Sequence, residues 1–232
     1  MSEVNLIGLT KPSAYTECST ANELVAWAAR VSNPSNQNNT ATAPKLVQYL
    51  IKNQHWSPLE IVHVSMEIKT TRDIARQILR HRSFSFQEFS QRYADPTEEL
   101  GFVTREARLQ DAKNRQNSVE VDDKTTKLDW ERIQKRMIYH AQNEYKDAIK
   151  MGIAKEQARA LLPEGLTEST IIMAGSLRSW VHYCQLRMDR ATQKEHRIVA
   201  EQCWEIIGQH FPDVIKALDD MAAWAEFERK LP

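Results

Sequence analysis

The sequence predicts an α+β chain: one mixed domain, with a mainly antiparallel sheet flanked by several long helices. Three observations carry that reading. Apolar residues recur at helical spacing over most of the 232 residues. Residues 61–69 instead alternate strictly, with Val62, Val64, Met66 and Ile68 on one side and His63, Ser65, Glu67 and Lys69 on the other, as in a half-exposed strand. The expected strands do not alternate regularly with the helices, which argues against a doubly wound parallel sheet. No internal repeat or linker divides the chain, so residues 1–232 read as a single domain.

The elements follow in order. Residues 4–10 (VNLIGLT) are a first strand. Thr20 and Glu23 form a capping box for a helix with Leu24, Trp27, Ala28 and Val31 on one face. The polar stretch 33–39 (NPSNQNN) is a loop. Pro44 suits the first position of a second helix bearing Leu46, Val47, Leu50 and Ile51. After the alternating strand the period changes, and Ile74, Ile78 and Leu79 make a helical stripe. Residues 95–125 are highly polar and read as a surface excursion. A long helix over 128–150 turns Ile133, Met137, Ala141 and Ala148 inward and stops at Gly152. A short helix over 155–162 ends at Pro163. Residues 169–174 (STIIMA) are a strand. Ser176 caps a helix with Leu177, Trp180, Val181 and Cys184 on one face. Helices over 193–209 and 213–229 close the chain.

Composition narrows the function. The chain carries 31 Lys+Arg against 31 Asp+Glu. A dedicated nucleic-acid binder shows a basic excess, because neutralising phosphates supplies most of its affinity. No run nears the roughly 18 apolar residues of a membrane-spanning helix. The opening MSEVNLIGLT lacks the basic-then-apolar pattern of a secretory signal. Three widely spaced cysteines, Cys18, Cys184 and Cys203, argue against a disulfide framework and for a reducing, cytosolic setting. All three read as packing residues. No CxxC or HxxxH pairing occurs, so no metal is expected.

Against this neutral background, residues 80–93 (RHRSFSFQEFSQRY) concentrate positive charge among aromatics. Arg80, His81 and Arg82 fall at or just beyond a helix C-terminus, where cations interact well with the helix dipole. A guanidinium is planar, permanently charged and forked, which suits bidentate bonding to phosphate. A local cluster on a chain of zero net charge fits a small anionic ligand better than a long polyanion.

The spacing Arg80-His81-Arg82, seven residues, Ser90 resembles the RHR-x7-S signature of flavin-dependent thymidylate synthases. Further stretches agree in family order: AARVS at 28–32, HWSPLE at 55–60, ARQILRHR at 75–82, EQARALLP at 156–163 and SLRSWVHYCQLR at 176–187. The resemblance spans most of the chain. It implies that family's mixed α/β fold, and a homotetramer with active sites where subunits meet. It implies reductive methylation of dUMP to dTMP, with 5,10-methylenetetrahydrofolate as carbon donor and NADPH as reductant, through bound FAD. No GxGxxG loop is present and glycines number only six, so a flavin would be gripped by arginine, histidine and backbone groups.

Carried over residue by residue, the resemblance assigns His55, Ser57, Arg80, His81, Arg82, Glu88, Ser176, Leu177, Arg178 and His182 to the cofactor, with Glu60 near it. Gln77, Arg80, Glu88, Ser90, Gln91, Arg92, Arg159 and Arg187 fall to the nucleotide. Ser90 and Arg92 would hold its 5′-phosphate. Arg187 would be catalytic: a fixed cation beside a ring that becomes anionic stabilises the anion without a proton donor. No cysteine nucleophile is required if a hydride is delivered to the ring. Arg178 and Arg187 are nine residues apart, on roughly opposite sides of one helix. His63, His140, His196 and His210 match no motif and receive no role. Two rival readings stand beside this one: another flavin enzyme of nucleotide or folate metabolism, and a non-catalytic protein that clasps RNA between aromatics.

Overall fold

The computed structural model describes residues 2–230; Met1 and residues 231–232 of the expected domain lie outside them. Four strands form one sheet in the order β1 (Glu3–Leu9), β2 (His63–Thr71), β6 (Glu168–Ser176), β3 (Ser85–Glu88), every neighbour antiparallel. The expected α+β class is therefore present. The β2–β6 ladder runs without a break from His63 opposite Ser176 to Thr71 opposite Glu168. It keeps Val64, Met66 and Ile68 on the same face as Ile171 and Met173, and all five side chains are buried. Strict alternation fixes that register, because a slip of one residue would turn every one of them to the other face.

Nine helices surround the sheet among the described residues: α1 (Ala21–Ala29), α2 (Ala43–Lys52), α3 (Arg72–Ile78), α4 (Pro96–Glu99), α5 (Lys124–Lys150), α6 (Lys155–Ala158), α7 (Leu177–Arg187), α8 (Lys194–His210) and α9 (Pro212–Lys230). Helix α7 shows how sequence becomes position. The Ser176 hydroxyl accepts a bond from Ser179 N and starts the helix as β6 ends. Leu177, Trp180, Val181 and Cys184 then fall at i, i+3, i+4 and i+7, and all are fully buried. Each such large side chain contributes roughly 1.5–3 kcal/mol on burial. The Trp180 indole also donates to Val64 O at 3.0 Å, which ties α7 to β2. The α1 capping box is present, with Thr20 and Glu23 bonding reciprocally.

Two expected faces are corrected. On α1 the buried apolar set is Ala21, Leu24, Val25 and Ala26, joined by Asn22, while Val31 is 67% exposed. The helix gives way to a 3₁₀ turn at Arg30, which rotates Val31 outward. On α5, Ile133 and Met137 are 45% and 52% exposed. The inward positions are Gln134, Ala141 and Tyr145. Gln134 accepts from Arg105 N at 2.8 Å and donates to Arg105 O at 2.9 Å, so its face docks on backbone rather than on an apolar core.

The polar segment 95–125 holds α4 and a hairpin of β4 (Arg108–Gln110) with β5 (Ser118–Glu120). Its side chains reach the body of the fold at several points, among them Phe102 against Tyr145 and Leu162, and Glu106 paired with Lys194 at 2.7 Å. Arg105 bonds Asp73 at the start of α3, and Arg108 bonds Glu195 in the first turn of α8.

Candidate functional site

The chain leaves α3 through a turn that displays Arg80 and Arg82 to solvent and half-buries His81. Neither Arg80 nor Arg82 forms an ion pair among the described residues. Strand β3 follows, and its pairing with β6 at Ser85–Ala174 and Glu88–Ile171 fixes its position. Phe84 packs edge-on against Trp180, with ring centroids 4.9 Å apart. Its ring leaves no room for a side chain at Gly175, where a Cβ would lie 2.5 Å from Phe84 Cδ1. The aromatics of the motif are thus the anchor that sets the arginine turn against α7.

Three clusters emerge. In the first, Arg187 at the end of α7 donates from Nε to His81 Nε2 at 2.9 Å, joining residues 106 positions apart. His81 stands edge-on to Tyr183 at 4.9 Å. Burial, followed by the Arg187 and Arg80 guanidiniums, pushes His81 down to about 4. The ring is therefore neutral, with Nε2 bare as the acceptor that the Arg187 bond requires. The terminal nitrogens of Arg187 are left to bond a ligand. Gln77 of α3 belongs here too, bonded to His196 Nδ1 at 3.2 Å and to Gln193 Oε1 at 2.8 Å.

The second cluster lies at the start of α7. Arg178 donates to Glu60 at 2.8 Å. Bonding from Ser176 and then Arg178 outweighs burial and holds the Glu60 carboxyl below its usual range. His182 stacks at a tilt on Trp56, 4.7 Å between centroids. His55 and Ser57 are exposed on the loop that carries Trp56. Leu177, expected beside a cofactor, lies in the core with its N–H bonded to Val62 O at 2.7 Å.

The third cluster follows β3. Ser90 Oγ accepts from Arg92 N at 3.4 Å, and Arg92 pairs with Glu156 at 3.2 Å. Arg159 donates to Glu156 O in the same short helical segment. Gln91 is only 3% exposed, and its Nε2 has no partner among the described residues. A buried donor left unpaired costs about 1–3 kcal/mol until an acceptor arrives. Glu88 is held by Arg72 at 3.3 Å and by the Ser169 hydroxyl at 2.9 Å, so much of its bonding capacity is used within the fold.

The two ends of the RHR-x7-S motif are thereby separated. Arg80–Arg82 precede the four-residue strand β3 and Ser90 follows it, so the strand alone, at roughly 3.3 Å per residue, keeps them apart. Sequence reasoning missed Tyr183, Gln193, Glu195 and Arg108, and gave His196 no role. A histidine three, four and seven positions before Val199, Ala200 and Cys203 is the signal that was available, since it places an imidazole on a buried face. Burial holds the Cys184 thiol well above its ordinary range, consistent with a packing residue. Among the described residues no three His, Cys, Asp or Glu side chains converge as a metal site, and no helix is long and apolar enough to cross a membrane.

Residues 14–213 match the family model described as thymidylate synthase complementing protein. The chain is 47% identical over 214 residues to a probable flavin-dependent thymidylate synthase of Paramecium bursaria Chlorella virus 1, covering 92% of this chain and 97% of the relative. It is 47% identical over 219 residues to the flavin-dependent thymidylate synthase of Synechocystis sp., covering 94% and 99%. A crystal structure of the UMP/dUMP methylase PolB from Streptomyces cacaoi bound with 5-Br dUMP superposes with a TM-score of 0.78 at 27% identity, over 95% of each chain. With the arginine turn, its histidine and the α7 arginine in place, the chain belongs to the thymidylate synthase complementing protein family, that of the flavin-dependent thymidylate synthases.

Proposed function

We propose that this chain methylates dUMP to dTMP with bound FAD, 5,10-methylenetetrahydrofolate and NADPH, as a cytoplasmic homotetramer whose active sites lie between subunits. The observation that carries the reading is the bond from Arg187 to His81, which brings together two motifs distant in sequence. The residues present fit FAD. Arg80 and Arg82 are exposed guanidiniums without an ion pair among the described residues, a donor set suited to a diphosphate. His55, Ser57, Ser176, Arg178 and His182 would line the rest of the cofactor. When bound, the flavin supplies the hydride that completes the methyl group.

The chain's own residues bind and orient. Gln77, Ser90, Gln91, Arg92 and Arg159 would hold the nucleotide, with Glu88 fixing the wall through Arg72 and Ser169. Arg187, oriented by neutral His81, would sit as a fixed cation beside the uracil and stabilise the ring anion formed on loss of the N3 proton. Positioning of two rings replaces a covalent nucleophile. Separation of Arg187 from Ser90 and Arg92 by β3 supports completion of each site by a neighbouring subunit. The apolar stripe of Trp130, Ile133 and Met137 on α5 supports self-association, since exposed apolar patches mark interaction surfaces.

The test is thymidylate formation from dUMP, methylenetetrahydrofolate, NADPH and FAD, with tritium release from C5-labelled dUMP. UMP is assayed alongside, because the superposing methylase takes both. Yellow protein bleached by NADPH that makes thymidylate is the expected result. Colourless protein that never binds FAD would overturn the reading.

A further inference from the structure

A polar chain, fully buried at His196 and Tyr183, leaves the proposed site and ends at the 108–120 hairpin, which no motif explains. Its hydrogen-bond direction is set from the Glu195 end. Glu195 is a carboxylate and only accepts; burial alone would raise it, but its own N–H, Arg108 and Gln193 outweigh that and hold it ionised. Gln193 therefore donates to it from Nε2 at 2.9 Å, and its Oε1 is free to accept from Gln77 Nε2 at 2.8 Å. That leaves Gln77 Oε1 facing His196 Nδ1 at 3.2 Å, so Nδ1 carries the proton. His196 Nε2 is then bare and accepts from the Tyr183 hydroxyl at 3.1 Å. Tyr183 in turn backs the His81 ring that receives Arg187. His196 is 0% exposed and Tyr183 1%. An interior built only for packing would fill this space with apolar side chains, since a partly satisfied polar network is costly. Here one imidazole has a functional side chain on either hand.

We propose that His196, which touches no ligand itself, is a positioning residue: through Gln77 on one side and Tyr183 and His81 on the other, it sets the amide and the guanidinium that face the pyrimidine. This rests on the proposed thymidylate synthase reading. The Arg108–Glu195 pair fixes the polarity of the chain and gives the hairpin a role as its outer anchor. With its amide oriented this way, Gln77 has one N–H left to give, suited to a carbonyl of the pyrimidine.

The test uses the holoenzyme and three variants. His196→Phe keeps ring volume but removes both bonds; it should raise KM for dUMP or lower kcat/KM by about tenfold or more, with FAD affinity unchanged by absorbance titration. His196→Gln offers one donor and one acceptor in the same roles and should return the kinetics to within about threefold of the parent. Tyr183→Phe loses only a hydroxyl, and should show a smaller loss in dUMP kinetics at parental FAD affinity even if His196→Phe does not fold. Parental dUMP kinetics in His196→Phe or in Tyr183→Phe would overturn the proposal. So would a His196→Gln variant as defective as His196→Phe, or loss of FAD in step with dUMP. A parent enzyme that makes no thymidylate would instead remove the functional reading, and this inference with it.

Discussion

Arg187 and His81 form a pair in which each needs the other in one state. Arg187 can donate to His81 only while the ring is neutral, and its own charge helps keep it so. Replacing Arg187 with Ala should cost about 100-fold in kcat or more, the scale of removing one donor to a developing anion. Turnover near the parental rate would refute the role. The two buried rings also set a pH dependence of stability. Burial, then Arg187 and a neighbouring cation or ring, takes His81 to about 4 and His196 to about 3, both below the ordinary 6.5. The unfolded chain therefore binds more protons between those values. Stability from these rings is complete above pH 6.5 and is lost as the pH falls from there toward 4, at about 1.4 kcal/mol per pH unit per ring. Urea midpoints measured from about pH 7.5 down to about pH 5 should hold level above about pH 6.5 and fall steadily below it. A profile that stays flat from about pH 6.5 to about pH 5 would show that the rings are not held neutral.

Among the elements, β6 and the arginine turn meet at one tight contact. A methyl group at residue 175 would sit 2.5 Å from the Phe84 ring, so Gly175→Ala must displace the aromatic that anchors the turn. Such overpacking costs about 1–3 kcal/mol. Denaturant unfolding should report that loss, and FAD titration should show weaker binding, because Phe84 sits two residues after Arg82. Thr20→Ala is the contrasting change. It removes the α1 capping box for about 1 kcal/mol of stability and should leave FAD affinity as it was. Equal effects of the two variants on the flavin would contradict the anchoring role of Phe84.

For the whole molecule, the decisive issue is where one site ends and the next begins. Arg187 and Arg92 lie in separate clusters within one chain, each with its own partner. Mixed oligomers of Arg187→Ala and Arg92→Ala chains should regain activity that neither has alone. Continued inactivity of verified mixed oligomers would mean that each site is built within a single chain. Met137→Glu, which charges the exposed stripe of α5, should lower the molar mass seen by light scattering. An unchanged mass would move the interface elsewhere.

The sequence by itself determined the main helices, the strands at 4–10, 61–69 and 169–174, the inward face of β2 and the arginine turn, but not the strand at 85–88 or the 108–120 hairpin. Strict alternation over Val62, Val64, Met66 and Ile68 allows one inward face, and the Leu177–Cys184 spacing allows one buried stripe, so local pattern and burial agree there. It also carried the RHR-x7-S spacing, since that is a property of the chain's order alone. Tertiary structure decided what the long helix faces and which polar groups meet. Ile133 and Gln134 are adjacent on α5, and only the docked Arg105 backbone makes the glutamine the buried one. Likewise His196 gains a function only when α3, α7 and α8 bring Gln77 and Tyr183 to its two nitrogens. Apolar burial is non-directional and leaves a periodic trace in sequence, whereas a hydrogen bond depends on a partner whose position is set by the rest of the fold.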